Sequence, residues 1–206
     1  MSAQAVTVRL VMIRHAPTVW NVEKRLQGRT DIALGDTGKS IAASWKIDPA
    51  WGGYRIFSSP LARARETAAI LFPNSGIEIE PRLIEMDFGS WEGKSLRELR
   101  GAAGSDAAER ETLGLDFRAP EGESPREVQA RVLPWLRELA LAGQAAVAVT
   151  HKAVLRATCA LATGWQMQDK PPQKLKDACA HVFALDKSGR PSVERLNIPL
   201  CTVPTR

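Results

Sequence analysis

The residues VTVRLVMIRH, numbers 6–15, give the clearest indication of how this chain folds. The first eight of them are rich in β-branched side chains and carry a single charge, which is typical of a strand buried on both faces. The run stops at Arg14 and His15. We therefore expect a central strand of a sheet, with these two polar side chains at its carboxyl end.

Other stretches predict further strands. Residues 145–150 (AAVAVT) carry no charge, and His151 follows them as Arg14 and His15 follow the first predicted strand. A shorter strand is predicted over residues 54–57. Near the end of the chain, residues 181–185 and 192–196 flank a glycine-containing turn, which predicts a β-hairpin at the edge of the sheet.

Helix signals lie between these strands. Asp36 is predicted to cap one helix, and Ser59 followed by Pro60 is typical of an N-cap and first helical residue of another. The residues SPRE at 124–127 form a capping box with proline at the first helical position, which predicts a third helix. A fourth helix is expected to end at Gly164.

This alternation of strands and helices predicts an α/β fold. We expect a three-layer α/β/α arrangement, with a mostly parallel sheet, helices on both faces and an antiparallel edge strand. At about 150 residues per domain, a chain of this length forms roughly one domain. The prediction is a single domain over residues 1–206, with a cap segment at about 94–120.

Composition excludes several classes of protein. With 44% hydrophobic and 25% charged residues, the chain has globular composition, which argues against intrinsic disorder. No stretch reaches the roughly 18 apolar residues of a membrane helix. The first residues lack the features of a secretory signal, so no membrane association and a cytoplasmic location are predicted.

Charge and cysteine content narrow the expected partners. The chain has 28 basic and 23 acidic residues, a net charge of +5, but the basic residues are scattered. We therefore expect no nucleic-acid partner and interpret the positive charge as suited to a small anionic substrate. Cys159, Cys179 and Cys201 have no metal-ligand spacing, so buried free thiols and no metal site are predicted.

Several polar side chains should meet at one edge of the predicted sheet. Arg14 and His15 follow the first strand, Arg63 lies in the helix after the second, and His151 follows the strand AAVAVT. Two guanidinium groups match a phosphoryl dianion, and a neutral histidine can attack phosphorus and carry the group. Because catalysis of phosphoryl transfer is mostly positioning and charge neutralisation, these cations make a metal unnecessary.

A leaving alkoxide also needs a proton. The candidate donors lie in the loop LIEMDFG at residues 83–89, which contains Glu85 and Asp87. Either carboxyl group could protonate the leaving oxygen and later deprotonate water if its pKa lay near the working pH. Spacing alone does not choose between them.

At this point the chain resembles the histidine phosphatase superfamily, also called the phosphoglycerate mutase-like family. Five blocks, in the order of that family, carry the resemblance and cover most of the chain. They are RHAPTVWN at 14–21 with RLQGRTD at 25–31, SSPLARARETA at 58–68, EMDFGSWEG at 85–93, EGES at 121–124 and VTH at 149–151.

The resemblance implies a role for six residues. His15 would be the phosphorylated nucleophile and Glu85 the proton donor and acceptor. Arg14, Arg63 and His151 would form the phosphate pocket, with Asn21 as an added phosphate ligand. The chain departs from the family pattern at three positions, with Ala16 and Lys152 where glycine is usual and Pro17 where an acidic residue is usual.

We therefore expect a phosphomonoesterase of the phosphatase branch that acts on a small phosphorylated metabolite through a phosphohistidine, with no cofactor. A cofactor-dependent phosphoglycerate mutase is the second hypothesis, although the short segment at about 94–120 favours hydrolysis. An enzyme of the α-ribazole phosphatase type is a third. A catalytically weak phospholigand-binding module is a fourth, and the presence of both His15 and Glu85 argues against it.

Overall fold

A six-stranded mixed sheet forms the centre of the molecule. The computed structural model describes residues 7–102 and 106–200, so Val6, the start of the first predicted strand, and Cys201 lie outside the described residues. The strands are β1 (Val8–Arg14), β2 (Arg55–Ser58), β3 (Ile77–Ile79), β4 (Ala146–Thr150), β5 (Cys179–Leu185) and β6 (Pro191–Pro199).

Seven α-helices lie in the described residues. They are α1 (Val19–Val22), α2 (Asp36–Ser44), α3 (Ala62–Leu71), α4 (Leu96–Gly101), α5 (Ala107–Glu111), α6 (Pro125–Ala142) and α7 (Lys152–Thr163). Short 3₁₀ turns occur at Pro49–Trp51, Pro81–Leu83, Gly89–Trp91 and Gly114–Asp116. In the ranges that the structure describes, none of the helices combines the length and apolar content that crossing a membrane requires.

The strand order is β3-β2-β4-β1-β5-β6. The first four strands pair in parallel, whereas β5 is antiparallel to β1 and β6 is antiparallel to β5. The predicted hairpin is therefore confirmed, and it forms the antiparallel edge. Because β1 and β4 are parallel neighbours, with Arg14 opposite Thr150, their carboxyl ends lie side by side.

The side chains of β1 explain why helices cover both faces of the sheet. Leu10 and Met12 pack in one core with the apolar faces of α6 and α7. Val11 and Ile13 point to the opposite face, as alternation along a strand requires, and pack with α2 and α3. The predicted three-layer arrangement is confirmed.

Helix α6 begins as its sequence predicts. The Ser124 hydroxyl accepts a hydrogen bond from the Glu127 amide, and the Glu127 carboxylate accepts one from the Ser124 amide. Such a capping box satisfies two amide groups that the helix itself leaves unpaired. At the other end, Gly143 adopts a left-handed conformation that ends the helix.

Two predicted helix starts are wrong. Helix α3 begins at Ala62, not after Ser59, because the carboxylate of Asp31 caps it from a distant loop by accepting the Ala62 amide at 2.7 Å. In α2, Asp36 is the first helical residue, and the N-cap position belongs to Gly35. An acidic residue in the first turn still interacts favourably with the helix dipole.

The described residues between Leu96 and Pro120 pack around a small core that also includes Trp91. Leu99, Ala107 and Ala119 complete this core, and the partly buried Phe88 and Phe117 pack against both it and the core of α6 and α7. Strand β3 was not predicted, since its three residues carry no buried alternating pattern.

Cys159 and Cys179 are both buried.

Candidate active site

Three neighbouring strands bring the candidate residues to one edge of the sheet. The amide of His15, just after β1, donates to the carbonyl of Thr150 at 2.9 Å. The amide of Ser59, just after β2, donates to the carbonyl of Val149 at 3.0 Å. Since β4 lies between β1 and β2, His151 at its end lies between the other two strand ends.

The ring of His15 is held in one orientation. Its Nδ1 lies 2.7 Å from the carbonyl oxygen of Ala16, and a carbonyl only accepts, so Nδ1 carries the proton and Nε2 keeps its lone pair. Burial, and then the positive charges of Arg14 and Arg63, hold the pKa of His15 well below its usual value. The imidazole is therefore neutral and available as a nucleophile at neutral pH.

His151 lies beneath His15 and is completely buried. The two ring centres are 5.2 Å apart. Nε2 of His151 lies 2.7 Å from the hydroxyl of Ser59, a residue that the sequence indicated only as a helix cap. Burial lowers the pKa of His151 as well, followed by the charges of the neighbouring cations. This ring is therefore also neutral in the free protein.

Arg63 is fully buried although it carries a charge. Its Nη1 and Nη2 donate to the carbonyls of Thr30 and Gly28, at 2.9 and 2.7 Å. The carboxylate of Glu92 fixes this loop by accepting the amides of Arg29 and Thr30, at 2.7 and 2.9 Å. Backbone carbonyls of this loop therefore fix the position of the guanidinium. In the described residues, no carboxylate neutralises it by direct contact.

Arg14 has an acidic neighbour. Its Nη1 donates to the carboxylate of Asp177 at 2.5 Å, and the Asp177 side chain is largely exposed. In the described ranges, four buried side-chain polar atoms lack a hydrogen-bond partner, and three belong to this site: Nε of Arg14, Nε of Arg63 and Nδ1 of His151. Because unpaired buried donors are costly, their grouping favours a site that is completed by an acceptor.

Of the two candidate carboxyl groups, Glu85 and Asp87, Glu85 is the one that lines the cavity. It accepts the amides of Met86 at 2.9 Å and of Ala153, in the first turn of α7, at 3.2 Å. Burial raises its pKa, which keeps a proton on the carboxyl group to higher pH. Asp87 does not line the cavity, and its carboxylate accepts the Gly89 amide at 2.7 Å instead. The geometry thus distinguishes two carboxyl groups that spacing left equivalent.

Asn21 presents a donor to the same cavity. Its side-chain oxygen accepts the amide and the hydroxyl of Thr18, at 2.9 and 3.2 Å. Because the oxygen is occupied, the NH₂ group is the part of the carboxamide that remains to bind a ligand. A donor at this position suits an anion.

These residues surround a cavity of about 510 Å³. Five of the six predicted site residues line it: Arg14, His15, Asn21, Arg63 and Glu85. His151 lies behind His15 and does not form part of the wall. The opposite wall is mainly apolar and includes Leu26, Met86, Phe88, Trp91, Leu96 and Phe117.

The sequence did not indicate the residues that hold this site together. The Thr67 hydroxyl accepts the Ala16 amide at 3.0 Å and donates to the Arg63 carbonyl at 2.7 Å, which joins the loop after β1 to α3. Thr67 and Glu92 both lie in blocks that carry the family resemblance, which is the signal that could have found them. Ala16, where glycine is usual, is not among the described residues with left-handed backbone, so its methyl group causes no such strain.

Lys152 is a second departure from the family pattern. It is the first residue of α7 and lines the cavity. Partial withdrawal from water, followed by the charge of Arg14, lowers the pKa of its ammonium group.

Within residues 7–102 and 106–200, no three His, Cys, Asp or Glu side chains converge as a metal site would require.

The fold and the site define a class of protein: a three-layer α/β protein with an anion pocket and a neutral histidine at the carboxyl edge of its sheet. The family model of the histidine phosphatase superfamily (branch 1) matches residues 10–199, and the chain belongs to this superfamily.

Relatives within the superfamily include hydrolases and mutases. The chain is 39% identical to the glucosyl-3-phosphoglycerate phosphatase of Mycolicibacterium vanbaalenii over 137 residues, which are 64% of this chain and only 59% of that protein. It is 28% identical to the 2,3-bisphosphoglycerate-dependent phosphoglycerate mutase of Methylobacterium radiotolerans over 189 residues, 86% of this chain and 89% of that one.

The fold is also similar to solved structures. The mycobacterial glucosyl-3-phosphoglycerate phosphatase in complex with VO₃ matches with a TM-score of 0.73 and 26% identity. The match covers 95% of this chain and 100% of that chain. The similarity therefore extends over nearly the whole chain.

Proposed function

We propose that this protein is a phosphomonoesterase that hydrolyses a small phosphorylated metabolite through a phosphohistidine at His15. The observation that carries the proposal is the pair of unpaired buried donors, Nε of Arg14 and Nε of Arg63, beside a neutral imidazole with a free Nε2. A bound phosphoryl group supplies the acceptors that these nitrogens lack. The phosphatases among its relatives support hydrolysis.

In the first step, Nε2 of His15 attacks phosphorus and a P–N bond forms. The ester O–P bond breaks, and the carboxyl group of Glu85 gives its proton to the leaving oxygen. Arg14, Arg63 and the Asn21 carboxamide, which line the cavity, hold the phosphoryl oxygens and stabilise their charge, and His151 packs behind His15. Since this stabilisation is greatest where charge develops, it is the largest contribution expected from the protein.

In the second step, the carboxylate of Glu85 takes a proton from water as the water attacks phosphorus. The P–N bond breaks, inorganic phosphate leaves, and His15 returns to its neutral state with Glu85 protonated. One residue thus serves as acid and then as base, which requires a pKa near the working pH. The burial that raises the pKa of Glu85 supports this role.

The segment at about 94–120 is proposed to act as the cap over the bound leaving group. Leu96, Arg100, Glu111, Gly114 and Phe117, all from this segment, line the cavity. This segment packs on a small core that Phe88 and Phe117 link to the core of α6 and α7, so it forms part of the wall without contributing a strand end. We therefore assign it selection of the leaving group rather than chemistry.

The test is hydrolysis of p-nitrophenyl phosphate and a panel of phosphorylated metabolites, in excess chelator, by the wild type and by His15→Ala. We expect turnover in the wild type and none in the variant. Acid-labile, base-stable label from a ³²P ester should appear on the wild type alone, as a phosphohistidine requires. Equal turnover by His15→Ala overturns the proposal, and turnover that the chelator abolishes indicates a metal-dependent hydrolase instead.

The same panel separates hydrolysis from phosphoryl exchange. A mutase is favoured if phosphoglycerate isomers interconvert with negligible release of phosphate, as the similarity to the Methylobacterium radiotolerans enzyme allows. Binding of esters without any turnover would favour the phospholigand-binding hypothesis.

A further inference from the structure

A second, smaller cavity adjoins the candidate active site. Its volume is about 120 Å³, and it shares Arg14, Lys152 and Arg156 with the larger cavity. At roughly 30 Å³ per water molecule, this volume admits about four waters or one compact polar group. The three shared side chains lie at the boundary of the two cavities, so a ligand in the larger cavity can contact the side chains that also line the smaller one.

The walls of this second cavity are strongly cationic. Lys152, Arg156, Lys174 and Lys176 line it along with Arg14. Asp177 is its one acidic residue in the described part of the chain, and Asp177 is already paired with Arg14. Such an excess of positive charge in a concave site attracts anions.

Two other basic residues of the larger cavity, Arg25 and Arg100, do not contribute to this excess. Arg25 is paired with Glu23, and Arg100 is paired with Glu111. Lys152 and Arg156, by contrast, make no ion pair in the residues that the structure describes. Two unpaired cations one helical turn apart on α7 therefore face the place where the two cavities meet.

Arg156 is also held in position. Its guanidinium carbon lies 5.1 Å from the centre of the Trp165 ring, in a cation–π contact. The indole nitrogen of Trp165 donates in turn to the carboxylate of Asp169 at 2.9 Å, which fixes the ring. A preorganised guanidinium loses less entropy when it binds an anion.

We propose that Lys152 and Arg156 form a second anion-binding subsite, which selects substrates whose leaving group carries a carboxylate or a second phosphate. This subsite deepens the proposed phosphomonoesterase function and rests on it. The phosphoryl group that reacts lies at His15, and the second anion lies between Lys152 and Arg156, at the entrance to the smaller cavity.

The experiment compares matched alkyl phosphate esters that share one carbon chain and differ at its far end. One ends in a carboxylate, one in a second phosphate and one in a neutral carboxamide. In the wild type, we expect kcat/KM for at least one charged ester to exceed that for the amide about tenfold or more, as charge-assisted hydrogen bonds predict. Which charged ester is preferred identifies the anion.

Variants assign the preference to particular side chains. Arg156→Met is expected to reduce the preference to about threefold or less, mainly through a higher KM for the charged ester. Arg156→Lys should retain part of it. Lys39→Met, which removes the same charge from an exposed position on α2, should keep the wild-type preference and controls for net charge.

The outcomes separate the subsite from the reaction. If the amide ester is hydrolysed in a His15-dependent way but no charged ester is preferred, the subsite is wrong and the proposed function stands. An unchanged preference in Arg156→Met also overturns the subsite. If no ester is hydrolysed, the proposed function fails and the subsite fails with it. A preference that falls with rising salt in the wild type supports the electrostatic origin.

Discussion

At the scale of single residues, burial has opposite consequences for the two proposed catalytic groups. Burial lowers the pKa of His15 and raises that of Glu85, because in both cases it disfavours the charged form. The imidazole is neutral with a free lone pair, while the carboxyl group keeps its proton to a higher pH than an exposed carboxyl group does. The same physical cause thus prepares a nucleophile and an acid in one cavity.

This pair predicts a pH dependence. His15 stays neutral as the pH falls below about 6.5, the usual histidine pKa, so the acid limb of kcat/KM should lie below that value. Glu85 loses its proton as the pH rises through its raised pKa, so the rate with poor leaving groups should fall on the alkaline side. Glu85→Gln should lack this alkaline limb and lower the rate about 10²- to 10⁴-fold.

Asp87→Asn is the matched control, because Asp87 lies in the same loop and outside the cavity. It should keep both limbs and a rate within about threefold of the wild type, as expected of a residue without a role in proton transfer. All pH–rate profiles are measured with the same alkyl ester, so ionisation of the substrate affects every variant equally. A wild-type profile in Glu85→Gln, or loss of the alkaline limb in Asp87→Asn, would contradict the assignment.

His181 predicts a pH dependence of stability. Burial in β5 lowers its pKa to about 4, and its Nδ1 accepts the Asn197 amide at 3.2 Å. The unfolded chain therefore binds a proton more readily, and stability is lost as the pH falls below about 6.5. Between about pH 7 and about pH 5, this group should cost about 2 kcal/mol.

The measurement is urea unfolding of the wild type and of His181→Asn at both pH values. From about pH 7 to about pH 5, the free energy of unfolding should fall by about 2 kcal/mol less in the variant than in the wild type. Comparing differences between pH values removes the direct cost of the substitution. Equal pH dependence in the two proteins would show that His181 titrates normally in the folded state.

At the scale of elements, α2 packs directly against the loop that carries His15. A Cβ added at Gly38, within α2, would lie 2.3 Å from the backbone oxygen of Pro17. Gly38→Ala should therefore destabilise the protein by about 1–3 kcal/mol through overpacking, despite a helix-propensity gain of up to about 1 kcal/mol. Because Pro17 is two residues from His15, kcat should fall as well.

Gly101→Ala is the control for this prediction, since a Cβ added at the end of α4 meets no atom of the described residues within 4 Å. Its stability should be unchanged or raised by up to about 1 kcal/mol. Urea unfolding and kcat with p-nitrophenyl phosphate are measured for both variants. If Gly38→Ala is as stable and active as Gly101→Ala, the loop adapts to the helix more easily than the contact indicates.

Elements were predictable where local chemistry specifies them. The largely apolar run of β1 and the uncharged run of β4 reflect strands buried on both faces, and the capping box of α6 is complete within four residues. The start of α3 was not predictable because Asp31 caps it from another loop. The three-residue β3 was missed because its pairing with β2, not its own sequence, makes it a strand.

At the scale of the whole molecule, the convergence of the candidate residues was predictable and the groups that hold them in place were not. Polar side chains at strand ends drew attention to His15 and His151, because parallel topology brings those ends together. The ligands of Arg63 are backbone carbonyls, which any residue supplies, so no sequence pattern marks them. The cytoplasmic location and the lack of a nucleic-acid partner stay predictions.

Anion binding should stabilise the whole fold. Inorganic phosphate at about one hundred times its dissociation constant should add about 2.7 kcal/mol to the free energy of unfolding, or about 5–10 °C in Tm for a chain of this size. Arg63→Met should lose most of this shift, as measured by thermal unfolding with and without phosphate. Each variant is compared with itself, so its own lower Tm does not affect the result.

Arg9→Met is the control, because Arg9 lies near the opposite end of β1 and is paired with Glu194. It should show the wild-type response to phosphate. A shift in Arg63→Met as large as that in Arg9→Met would mean that phosphate binds elsewhere.

The two ends of the strand order have a consequence for self-association. An unpaired strand is a template on which a second chain can add its own strand. Strand β3 offers only three residues, and β6 begins at Pro191 and ends at Pro199, with Glu194 and Arg195 in its middle. Proline has no amide hydrogen to donate to an added strand, and charged side chains disfavour pairing with a second chain. The short β3 and the proline-bounded, charged β6 therefore discourage aggregation at both edges of the sheet.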